Sequence, residues 1–263
     1  MGSTHWWALA VAFAAGLAAG AINAVAGGGS VVSFPALLFA GVQPVTANVT
    51  NSVALWPGSW SGAYGFRREI RSSRWWLVGL AVPSLAGGAA GAALLLHTPP
   101  QVFRTIAPYL VLGSSVLLAV REPLAGRVGA APPDSRNRAR PSGRWLAAAV
   151  AVQLVISVYG GYFGAGMGIL MLAALALLGL SDLHRGNGLK NLFSVCIKGV
   201  ATVYFALTGS VAWLLAAAMA GGAIAGGLGG AAIAHRLGQE RIRWLVVGIG
   251  VCMSVALLLR LYL

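Results

Sequence analysis

Residues 164–191 decide the fold. They read Gly164-Ala165-Gly166-Met167-Gly168, an apolar stretch to Gly179, then Gly186-Asn187-Gly188-Leu189-Lys190-Asn191. The same order of features occurs earlier as Gly27-Gly28-Gly29-Ser30, an apolar stretch to Gly41, then Ala47-Asn48-Val49-Thr50-Asn51-Ser52. Gly166 follows Gly27 by 139 residues. A repeat of this length means two copies of one architectural unit. In each copy the apolar stretch after the glycines is too short to cross a bilayer, which takes about 20 residues.

Outward from these motifs, apolar segments fill the chain. The first half has them at roughly 6–26, 30–41, 47–65, 75–96 and 102–121, the second at 145–163, 167–180, 189–207, 211–234 and 242–262. Hydrophobic residues make up 58% of the 263 and charged residues only 9%, against about 25% charged in a soluble domain. The natural solvent of such a chain is lipid. The sequence therefore predicts an all-α membrane protein with two repeats of about five segments each, residues 1–121 and 145–263. A basic loop, 122–144, joins them.

The net charge of +13 would suggest nucleic acid in a soluble protein. Here the arginines sit in short segments between apolar runs, and no nucleic-acid motif accompanies them. Loops facing anionic lipid explain them. Segment 66–74 and the central loop are both basic, and two spans separate them, so both face the cytoplasm. The counterpart of 66–74 is the neutral Thr208-Gly209-Ser210, whereas the counterpart of the neutral 97–101 is the basic 235–243. Basic and neutral loops exchange places, so the expected repeats are inverted, with eight to ten transmembrane helices. Both termini then face the periplasm of a bacterial inner membrane. No cleavable signal peptide is legible at the N-terminus.

Paired short helices after glycine breaks point to a transporter's midplane site. A helix that restarts in the membrane presents free N–H groups and the positive end of its dipole, which favours an anion. The candidates are Gly28, Gly29 and Ser30 in the first copy, and Gly166 and Gly168 in the second. A polar helical face adds Asn187, Lys190, Asn191, Ser194 and Lys198, where the two lysines are the only ones in the chain. Lys198 lies some three turns into an apolar helix, and an intramembrane charge is a functional candidate by default. The first copy supplies Asn48, Asn51 and Ser52, with Ser59 near the position matching Lys198. The competing reading of the glycines is close helix packing, and Lys190 also fits a cytoplasmic helix end.

Other chemistry is absent from the pattern. All five acidic residues map to loops or span ends, only Asp182 being near Lys190 in sequence. The four histidines have no metal-ligand spacing. Cys196 and Cys252 lie in apolar runs without a disulfide or metal signature. No enzyme, cofactor, metal or nucleic-acid partner is expected. A small anionic substrate and the lipid bilayer are the expected partners, and a homodimer is left open.

The motifs resemble those of the TauE/SafE sulfite exporter family, the toluene sulfonate uptake permease group. Gly27-Gly28-Gly29-Ser30, Pro35-Ala36-Leu37-Leu38 and Ala47-Asn48-x-Thr50 resemble its first motif. Gly160-Gly161-Tyr162-Phe163-Gly164-Ala165-Gly166-Met167-Gly168 with Asn187-x-x-Lys190-Asn191 resembles its second. Met167 interrupts the second glycine run, and Gly186 and Gly188 stand where alanine is frequent, which is expected to loosen that helix start. The resemblance implies transport of sulfite, thiosulfate, sulfoacetate or related anions, commonly outward. An anion exporter is the leading expectation. A proton-coupled importer of sulfonates or sulfur oxyanions and a non-transporting membrane scaffold are the alternatives.

Overall fold

The computed structural model describes residues 6–25, 27–71, 73–120, 143–178, 180, 182–208, 211–237 and 239–262. Most of the central loop thus lies outside the described residues. The described residues form eleven helices and no strand. In the first half these are α1 (Trp6–Val25), α2 (Ser30–Phe39), α3 (Pro44–Gly65), the short α4 (Arg67–Arg71), α5 (Arg74–His97) and α6 (Pro100–Ala119). In the second they are α7 (Gly143–Tyr162), α8 (Met167–Leu177), α9 (Leu183–Thr208), α10 (Trp213–Leu237) and α11 (Gln239–Tyr262). Adding the 139-residue spacing to the starts of α3, α5 and α6 gives the starts of α9, α10 and α11.

Five helices are long and apolar enough to cross a membrane: within α1, α5, α6, α7 and α9. Helix α3 is as long but carries Asn48, Thr50, Asn51, Ser52 and Ser59, which lower its hydropathy. Helices α2 and α8 have 10 and 11 residues. At 1.5 Å per residue each is about 15–17 Å long, half of a ~30 Å hydrocarbon core.

Local chemistry sets the boundaries. Pro44 and Pro100 open α3 and α6, where a missing N–H costs nothing and φ is already helical. Helix α3 therefore begins three residues before the apolar segment expected at 47. Helix α9 begins at Leu183, six residues before the expected 189, and runs through Gly186 and Gly188 without a break. Asp182 caps it: its Oδ1 accepts the N–H groups of His184 at 2.9 Å and Arg185 at 3.2 Å. Gly188 is needed for packing, because a Cβ there would lie 3.2 Å from Phe66 Cβ and from Ile70 Cγ1. Gly188 lets Phe66 and α4 close against α9, whereas Gly186 faces Leu172 of α8.

The two halves interlock. Helix α1 packs along α10 and α7 packs along α5, so the first helix of each half lies on the third long helix of the other. Both contacts are backbone-close. A Cβ on Gly16 or Gly20 would collide with the carbonyls of Met219 or Ala223, and one on Gly222 or Gly226 with those of Phe13 or Leu17. Gly161 meets Gly88 in the same way. Without a hydrophobic driving force between helices in lipid, close van der Waals approach between small residues holds such pairs. Rising numbers meet rising numbers in both pairs, so each runs parallel.

Helices α3 and α9 cross at the centre. Trp56 Nε1 donates to Val195 O at 3.1 Å, Gly62 faces Asn191, and Phe66 faces Gly188. Numbers rise along one helix as they fall along the other, so these two matching helices run antiparallel. Buried Phe34 of the short helix α2, Phe103 and Phe163 pack edge to face or tilted, centroids 5.2–6.5 Å apart. Large apolar side chains such as Val78, Val155, Leu207 and Leu228 point outward, as a lipid-facing surface requires.

Candidate functional site

The two glycine breaks meet. A Cβ on Gly27 would sit 3.3 Å from Gly168 Cα, and one on Gly168 would sit 3.2 Å from Gly27 Cα. Gly27 and Gly166, one repeat apart, have φ of +78° and +74°, a left-handed conformation that costs an L-residue roughly 1–2 kcal/mol. Each break turns the chain there and restarts it as a short helix. The N-termini of α2 and α8 therefore lie side by side, each carrying about half a positive charge from its aligned peptides.

A small cavity of about 30 Å³ opens at this junction. Of the residues singled out in the sequence, Gly28, Gly29, Ser30, Gly166 and Gly168 line it from the two breaks. Lys190, Asn191, Ser194 and Lys198 line it from α9. Helix α3 contributes Gly58, Ser59 and Gly62, and α1 contributes Asn23. Among the described residues, no acidic residue lines it. Asp182 pairs with Arg185 at 3.4 Å.

Lys190 and Lys198 are both buried. Lys190 reaches across from α9 to the first break, where its Nζ lies 3.4 Å from Asn23 O. Its Cδ would be 3.1 Å from a Cβ on Gly168, so the missing side chain makes its channel. Lys198 makes no hydrogen bond or ion pair with another described residue. Asn191 Nδ2 is buried and has no partner, resting over Gly62, where a Cβ would be 3.0 Å away. A buried donor without an acceptor costs about 1–3 kcal/mol. The cavity thus concentrates cations, unpaired N–H donors and helix N-termini, a set that an anion would satisfy.

The remaining sequence candidates lie elsewhere. Asn48 Nδ2 donates to Tyr162 O at 2.7 Å, satisfying the last carbonyl of α7. Asn51 Oδ1 accepts from Ser33 Oγ on α2. Ser52 is buried on α3 outside the cavity lining, and Asn187 is half-buried one turn before Lys190. Asn48 and Asn51 thus brace α3 against α7 and α2.

Sequence reading missed Asn23, Gly27, Gly58, Gly62, Gly164 and Met167 as lining residues. The signal for Asn23 was present, because it is the one amide in the apolar run 6–26. Its Oδ1 accepts the Gly29 N–H at 2.9 Å. Gly58 and Gly62 stand at helical spacing with Ser59 between them, which places all three near one face. Among the described residues no cluster of His, Cys, Asp or Glu could hold a metal, and Cys196 and Cys252 are free.

A model of the family described as sulfite exporter TauE/SafE matches residues 12–257. The chain belongs to this family. With several helices apolar enough to cross a bilayer, it is a multi-pass membrane protein. Among curated TauE/SafE-like relatives, a Haemophilus influenzae protein described as a probable membrane transporter is 28% identical over 91% of this chain and 90% of its own length. A Sinorhizobium protein, probable membrane transporter protein ORF9, is 29% identical over 95% and 92%. The Escherichia coli K12 probable membrane transporter protein YfcA is 28% identical over 95% and 89%. No solved structure matches this chain.

Proposed function

We propose that this TauE/SafE chain is a secondary transporter of small sulfur-containing anions such as sulfite, sulfoacetate or other organosulfonates. It exports them by alternating access from a site built of the two glycine breaks and the Lys190–Lys198 face of α9. The observation that carries this reading is the convergence of both lysines and both short-helix N-termini on one cavity lined, among the described residues, by no carboxylate. Such a cavity repels cations and rewards an anion. The names of the relatives agree with transport.

The repeats supply the motion. Matching helices α3 and α9 cross antiparallel, and the exchanged pairs α1–α10 and α5–α7 each run parallel. This geometry supports inverted repeats that rock about the α3–α9 crossing; the basic 66–74 segment and central loop, taken as cytoplasmic, leave both termini on the periplasmic side of the inner membrane. Export follows from energetics. With the interior negative, each anionic charge leaving gains about 2.3 kcal/mol per 100 mV, so outward uniport needs no co-ion.

Flux in proteoliposomes tests this. Vesicles loaded with sulfite or sulfoacetate receive a potassium-diffusion potential of either sign. Voltage-driven efflux of anion is the expected result. Transport that follows an imposed pH gradient and ignores voltage would favour the proton-coupled importer. Absence of flux for every sulfur anion, with and without either gradient, would remove the reading.

A further inference from the structure

The two glycine breaks are held in opposite ways. In the first break Asn23 Oδ1 takes the Gly29 N–H at 2.9 Å. A donor that would face an anion is thereby consumed within the protein. In the second break the side chains grip a carbonyl instead. The Tyr159 hydroxyl donates to Ala165 O. Ser114 Oγ, on α6, lies 2.9 Å from the same oxygen and 3.0 Å from the Tyr159 hydroxyl. Ser114 Oγ also lies 2.7 Å from Leu110 O, so its single proton is shared between two carbonyls.

Gripping the carbonyl leaves the neighbouring donors free. Met167 N–H bonds back to Gly164 O, and Ile169 N–H to Gly166 O. The N–H groups of Gly166 and Gly168, at the start of α8, have no backbone acceptor among the described residues. Both residues line the cavity, as do Lys198 and the partnerless, buried Asn191 Nδ2. Gly166 is backed by Ser114, whose Cα and Cβ would lie 3.6 Å from an added Cβ. The peptide between Ala165 and Gly166 is therefore pinned from its carbonyl end, which fixes the direction of its N–H.

We propose that Tyr159 and Ser114 are positioning residues for the anion donors of the second break. They touch no ligand themselves. By holding Ala165 O they keep the Gly166 N–H, in the same peptide, aimed into the cavity at the start of α8. This rests on the anion-transport reading above.

The test is Tyr159→Phe, which keeps the ring and removes the hydroxyl, together with Ser114→Ala and the pair combined. Two readouts are taken on full-length protein in nanodiscs and proteoliposomes. The first is amide exchange at residues 163–168, with 27–30 as the internal reference. The second is the sulfite concentration dependence of flux. The expected result is faster exchange at 163–168 alone, with KM raised about tenfold in Tyr159→Phe and further in the double variant, at little change in maximal flux. Unchanged exchange in both single variants overturns the latch. Faster exchange with unchanged KM overturns the positioning role, as does an equal loss in variants of the first-break brace, Asn23→Ala. A wild-type protein that moves no sulfur anion sinks the transport reading, and the assigned roles with it. The exchange result distinguishes that failure from failure of the latch.

Discussion

Replacing Lys198 by methionine separates binding from folding in one substitution. The side chain is buried, lines the cavity and has no hydrogen bond or ion pair among the described residues. Methionine matches its length and flexibility, and volume-conserving swaps are well tolerated. An anion that binds beside the ammonium lies roughly 5 Å from it, within the range over which opposite charges act on each other. At an effective dielectric constant of about 20, one charge pair at about 5 Å is worth about 3 kcal/mol. That corresponds to roughly 200-fold in affinity, an upper figure because solvent reaching the cavity screens it. Stability moves the other way: an ammonium buried without a carboxylate is a cost, and its replacement by an apolar side chain is neutral or stabilising. Lys198→Met should thus raise the sulfite KM by one to two orders of magnitude while leaving or raising the thermal unfolding temperature in detergent. Flux measured against sulfite concentration, beside a thermal melt, checks both. Unchanged KM in a folded variant would refute the argument that this ammonium faces the anion. A large drop in melting temperature would instead show that Lys198 has a structural partner.

Two further predictions rest on glycines. Gly166→Ala and Gly41→Ala both place an L-residue at positive φ, +74° and +84°, and each should cost about 1–2 kcal/mol of stability. Only Gly166 lines the cavity, so flux per folded molecule should fall in Gly166→Ala and persist in Gly41→Ala; equal effects on flux would contradict the site. At the α1–α10 contact, Gly222→Leu forces a side chain against Phe13 O and should sharply lower the yield of folded protein in size-exclusion chromatography. Gly113→Ala on α6, with nothing within 4 Å of its Cβ, should leave the yield unchanged.

Much of this protein was legible before folding. A chain with 9% charged residues cannot coat itself for water, so helices in lipid follow from composition alone. The glycine runs at 27–30 and 164–168 announced two short helices, because the backbone can interrupt a span only where other groups cover it. Lys198 was visible as a charge deep in an apolar run, since lipid gives it no other excuse. What the sequence could not supply was which polar residues share a space. Asn48, Asn51 and Ser52 belong to the same pattern as Asn191 and Ser194, yet Asn48 spends its amide on Tyr162 and Asn51 its oxygen on Ser33. Helical phase puts residues on a face; it does not say which neighbour meets that face. Asn23, Tyr159 and Ser114 come from three different helices, and only packing brings them to the breaks. The same holds for Gly27 against Gly168: two residues 141 positions apart in the chain touch because α3 crosses α9 and each half leans on the other. Periodicity and composition are local properties that survive in the unfolded chain, whereas the cavity exists only once the interlocked helices have closed around it.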